Sequence, residues 1–100
     1  MTMKIDAMVI FENPHLTSSQ DKIVLLYLLL YKGGKWSGGG LGDLHFDEMA
    51  GHTRLSMQVL KVKMKELRAR GYIHTDGTGS RLDLAGGLQH DRRARYGVDA

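Results

Sequence analysis

Cysteine is absent from this chain, which removes disulfides and thiolate metal sites and gives no sign of an oxidising compartment. Proline occurs once, at Pro14, which argues against a disordered or linker-dominated chain. Long apolar runs are also missing. The longest, Ile23–Tyr31, falls far short of the ~20 residues a bilayer-spanning helix needs. Residues Met1–Pro14 lack the basic region, apolar stretch and small-residue cleavage site of a signal peptide. These absences lead to the expectation of a cytoplasmic protein with no membrane partner.

A length of 100 residues with 42% hydrophobic content suits one domain with a modest core. The formal charge is +3 and the pI about 9.3, so the excess of base is mild and its distribution is more telling. Arg54, Lys61, Lys63, Lys65, Arg68 and Arg70 are set against the single acid Glu66, while Asp43, Asp47 and Glu48 lie just upstream. A local positive field of this kind attracts phosphate backbones in a salt-dependent way.

Residues 3–11 mix β-branched and apolar types and suggest a short strand or an N-terminal arm; Asn13-Pro14 then breaks the chain. Thr17, Ser18 and Ser19 offer N-cap oxygens, and Asp21 favours a helix start. The following helix, ending at Gly33-Gly34, is apolar around most of its circumference, so it is predicted to be central and a contributor to a dimer surface. A glycine-rich loop spans 33–42 without P-loop spacing, so nucleotide binding is not indicated. There a flexible loop is expected in place of a first strand, with Lys35 available for contact and Trp36 as a lid on the core edge. Ile73–Thr75 and Arg81–Leu84 flank a glycine-bearing turn and predict a hairpin. The expected domain is 1–86, followed by a basic tail over 87–100, flexible or helical, that carries Arg92, Arg93 and Arg95.

Between Leu44 and Leu84 these signals form an ordered series. A short helix near Phe46–Gly51 precedes a turn, a basic helix starting at Ser56, an exit at Arg70-Gly71-Tyr72-Ile73 and the hairpin. Met49-Ala50, the cap position Ser56, and the apolar Leu60, Met64 and Leu67 complete the pattern. The stretch resembles the winged helix-turn-helix superfamily of small bacterial, plasmid or phage regulators and replication modules. Arg54 departs from the pattern, standing where glycine is often found. The resemblance implies an α+β fold of about three main helices and a two-stranded wing. It also implies a duplex-DNA partner read in the major groove, commonly by a homodimer on palindromic sites.

Placing the basic helix at ~100° per residue separates two stripes. Met57, Leu60, Met64 and Leu67 form a core stripe; Arg54, Gln58, Lys61, Lys65 and Arg68 form a second stripe that contains no acid. Gln58, Lys61, Val62 and Lys65 are thereby candidates for lining base edges, with Ser56 at the cap. Arg54, Arg68, Arg81 and Lys35 are candidates for phosphates. Leu55, Val59 and Val62 lie beside the basic stripe. They suit thymine methyls, a protein interface, or packing against the N-terminal segment. The protein-interface option makes a protein-binding module, such as a phage-encoded inhibitor or adaptor, the rival reading. Single-stranded nucleic acid, stacked on Trp36 and Tyr72, is a weaker third option.

The five histidines show no H-E-x-x-H spacing, His45 and His52 suit capping or exposed roles beside the short helix, and adjacent Asp47 and Glu48 diverge on a helix. No Ser/His/Asp order stands out. Neither an enzyme nor a metal or other cofactor is expected.

Overall fold

The computed structural model describes residues 3–37, 45–77 and 79–96, and five helices and three short strands lie within them. In chain order these are α1 (Met3–Glu12), α2 (Ser19–Lys32), β1 (Lys35–Trp36), α3 (Phe46–Thr53), α4 (Met57–Ala69), β2 (Ile73–Asp76), β3 (Gly79–Leu82) and α5 (Leu84–Tyr96). The strands make one antiparallel sheet in the order β1-β3-β2, so the fold is α+β.

The central helix is α2, packed by α1, α3, α4 and the sheet. Its start is capped by Ser18, whose hydroxyl accepts the Gln20 N–H at 3.2 Å and satisfies a donor the first turn leaves free. At its end Gly33 takes φ +65°, and the Gly34 N–H bonds back to the Leu28 carbonyl at 2.9 Å. Val24, Leu25 and Leu28 of α2 are fully buried, as are Met49 of α3 and Leu60, Met64 and Leu67 of α4. Burying each such side chain contributes roughly 1.5–3 kcal/mol, which makes this helical layer the main source of stability.

The structure departs from the expectation of three main helices and a two-stranded wing by two helices and one strand. Residues 3–12 are helical, not a strand or arm. Ile10 is fully buried and Ala7 packs beside it, three residues apart on one helix face, so packing against α2 overrides the β-branched composition. The glycine-rich segment contains β1, which was not expected because two residues are too short to show alternation. Its remaining part, 38–42, lies outside the described residues.

The hairpin ends earlier than expected. Leu82 is the last residue of β3, and Asp83 caps α5: a carboxylate oxygen accepts the Gly86 N–H at 3.0 Å. Residues 84–96 therefore form one helix across Gly86-Gly87, where a domain boundary was expected. Gly87 is small for a packing reason. A Cβ there would stand 2.2 Å from the Tyr72 ring, so α5 lies directly on that side chain.

Candidate nucleic-acid interface

The turn between α3 and α4 is built by two hydroxyls and one unusual backbone conformation. Thr53 donates its hydroxyl to the Met49 carbonyl at 2.7 Å and accepts the Leu55 N–H at 3.3 Å. Arg54 sits at φ +61°, in the left-handed region, with its N–H bonded to the Ala50 carbonyl at 2.9 Å. Ser56 then caps α4, its hydroxyl accepting the Val59 N–H at 3.1 Å. His45 precedes α3 at φ 52° but makes no side-chain cap bond, and the exposed His52 ring stacks on Tyr31 at 4.7 Å.

With Leu60, Met64 and Leu67 facing the core, Gln58, Lys61, Val62 and Lys65 of α4 point to solvent, and Arg68 is half-buried on the flank. Arg54 is exposed in the preceding turn. Met57 departs from the core stripe at 46% exposure. It opens the first turn of α4, whereas Leu55, just before the cap, is half-buried and packed against the core. Leu55 is therefore a poor member of an exposed apolar patch, whereas Val62 is 49% exposed. Val59 is half-buried, and with Val62, Gln20, Ser56, Gln58 and Lys63 it lines a groove of about 320 Å³ between α4 and the start of α2.

The cations of this region divide into two groups. Lys63 bridges Asp21 at 3.1 Å and Glu66 at 3.5 Å. Partial burial works against its charge, but the Asp21 hydrogen bond and both carboxylates outweigh it and raise its pKa. Arg70 donates to Asp91 from Nε at 2.9 Å and to the His15 carbonyl at 3.1 Å, and it also pairs with Asp21 at 3.5 Å. Lys63 and Arg70 are thus spent on the protein itself. Among the described residues, Arg54, Lys61, Lys65 and Arg68 have no ion-pair partner. The basic stripe survives this division and the flanking cations drop out. Sequence reasoning had no means of separating them, because Asp21 and Asp91 are remote in the chain.

Strand register adds a second basic feature. Lys35 pairs with Arg81 across β1–β3, and His74 pairs with Arg81 across β2–β3; all three side chains are exposed. Alternation puts them on the outer face, while Ile73, Thr75, Ser80 and Leu82 turn inward. The Thr75 and Ser80 hydroxyls bond at 2.9 Å and hold the two strands in register. His74, whose Nε2 lies 4.0 Å from the Asp76 carboxylate, is the neighbour that sequence reasoning missed, since only the register reveals it. Trp36 is half-buried against the core, in keeping with a lid position. Tyr72 is fully buried, so it offers no face for stacking a base, and the single-stranded option loses half its platform.

The described residues contain no helix long and apolar enough to cross a membrane. No protein-family model, curated protein or solved structure matches the chain.

Proposed function

We propose that this chain is a winged-helix protein that binds duplex DNA, acting in transcriptional regulation or as an accessory in replication or partition. The observation that carries this reading is the outward face of α4. It presents Gln58, Lys61 and Lys65 to solvent, with no acid among them and no internal partner for either lysine among the described residues. The helix–strand–helix–helix–strand–strand order from α2 to β3 is also that of a winged helix, with β2–β3 as the wing.

In this reading α4 enters the major groove. Gln58 pairs with adenine, Lys61 and Lys65 reach guanine edges or phosphates, and Val62 lies against a thymine methyl. Arg54, Arg68, Arg81 and Lys35 hold the flanking phosphates, and two copies occupy a palindromic site. Fluorescence anisotropy with duplex DNA tests this: binding is tight at low salt, weakens steeply at moderate salt, and drops in the Lys61→Ala/Lys65→Ala double variant. Absence of duplex binding at low salt ends the reading.

A second reading, a protein-binding module such as an inhibitor or adaptor, is favoured by one observation. Val62 is exposed on the rim of the α2–α4 groove, where many readers of DNA carry a polar side chain. Under it Val62→Asp abolishes a stoichiometric complex, while the paired lysine substitutions leave that complex intact.

A further inference from the structure

The outward surface of α1 is apolar. Ala7 and Ile10 hold the helix against the core, whereas Ile5, Met8, Val9 and Phe11 are 57%, 48%, 38% and 59% exposed. So many large apolar side chains on one helix of 10 residues exceed the scatter of an ordinary surface. Lys4 and Glu12 are the exposed charges of this helix, and among the described residues neither has an ion-pair partner.

The spacing of these residues is self-complementary. Lys4 and Glu12 lie at equal distances on either side of Met8, and so do Ile5 and Phe11. When two copies of the helix cross antiparallel at Met8, Lys4 of each faces Glu12 of the other, and Ile5 lies beside Phe11. This is the signature of a two-fold contact, in which residue i meets j and j meets i. A parallel crossing sets Lys4 against Lys4 and Glu12 against Glu12, so it is disfavoured.

We propose that α1 is the surface through which two copies of this chain associate, antiparallel and with Met8 on the dyad. The inference rests on the homodimer component of the proposed function and moves the contact away from α2. Most of α2 is already covered by α1, α3, α4 and the sheet; its exposed Ile23, Leu30 and Tyr31 form a second apolar strip, but one without the symmetric Lys–Glu pair that α1 presents. A helix of 10 residues is about 15 Å long, less than a standard interface of ~800 Å² per partner requires. The association is therefore weak and concentration-dependent.

Sedimentation of the full chain without DNA, from about 1 to 200 µM, tests this, with Lys4→Glu, Glu12→Lys and their equimolar mixture run alongside. Both reversals suit the helix dipole, an acid near the N-terminus and a base near the C-terminus, so the helix persists, and circular dichroism checks it. The native chain is expected to double in mass across the range. Each single variant should self-associate at least about tenfold more weakly, because Lys4→Glu makes both ends of α1 acidic and Glu12→Lys makes both basic. The mixture should recover native-like association. A native chain that stays monomeric overturns the proposal, and so do single variants that associate as well as the native chain. Duplex binding measured on the same samples keeps the two claims apart: dimerisation without DNA binding overturns the DNA reading alone.

Discussion

Arg54 occupies the left-handed backbone region, where an L side chain is crowded by its own carbonyl and glycine is not. The turn needs this conformation, because it brings the Arg54 N–H onto the Ala50 carbonyl and starts α4 three residues later. Keeping arginine here costs stability and suggests that its charge serves binding. Relief of the ~1–2 kcal/mol left-handed strain exceeds the ~0.5–1 kcal/mol that glycine's freedom in the unfolded chain costs. Arg54→Gly is therefore expected to raise the unfolding free energy by up to about 1 kcal/mol in urea titration while weakening duplex binding. A loss of stability would show that the arginine side chain holds the turn. Gly87 makes the opposite case. The Tyr72 ring fills the space of its missing side chain, so Gly87→Ala forces α5 away from the core. A loss of about 1–3 kcal/mol is expected in the same assay.

At the scale of elements, α4 was the most legible part of the chain, because its period of 3.6 writes core and solvent faces directly into the order of residues. Leu60, Met64 and Leu67 are buried as the stripe predicts, and Ser56 makes the capping bond assigned to it. Met57 was misplaced because periodicity does not say where a helix comes free of its neighbours. The strands were less legible, since β1 pairs with β3 through only Lys35–Arg81 and Trp36–Ser80, and such short pairing leaves no pattern in sequence. Together with the β2–β3 register this pairing aligns Lys35, Arg81 and His74, so α4 and the sheet are expected to contribute separately to phosphate binding. Log affinity against log salt should flatten by about 0.9 for each phosphate contact removed. Lys61→Ala/Lys65→Ala is thus expected to reduce the slope by up to about 1.8, and Arg81→Ala by about 0.9. An unchanged slope in either variant would remove that element from the interface.

Across the whole molecule, polar residues to which the sequence gives other roles or none prove to join its parts. The Tyr72 hydroxyl donates to Asp91 of α5 and accepts the Asn13 side-chain N–H at 2.9 Å, and Asp91 also takes the Arg70 guanidinium. Arg70 and Lys63 meet at Asp21, so α2, α4 and α5, together with the segments after α1 and α4, close on one buried cluster. None of this was visible beforehand, because charged residues on separate elements reveal partners only after the apolar core has placed the elements. Titration of the cluster gives it a pH signature with two arms. Burial alone would raise the Asp91 pKa, but the Arg70 and Tyr72 hydrogen bonds and the Arg70 charge prevail and hold it below its ordinary value of 3.8. A depressed carboxyl stabilises the fold above that value and ceases to do so as pH falls below it. Burial, helped by the Asp91 hydrogen bond, pushes Tyr72 from 10.0 up to about 12. Its contribution is complete below pH 10 and is lost as pH rises toward 12, since the unfolded chain gives up that proton first. Tyr72→Phe keeps the ring against Gly87 but loses both hydrogen bonds, so at pH 8 it is expected to be about 1–3 kcal/mol less stable than the native chain. That gap should narrow steadily between pH 10 and 12, and urea unfolding across the range reads it. A gap that stays constant to pH 12 would mean that the Tyr72 hydroxyl titrates as it does in water and is not the centre of the cluster.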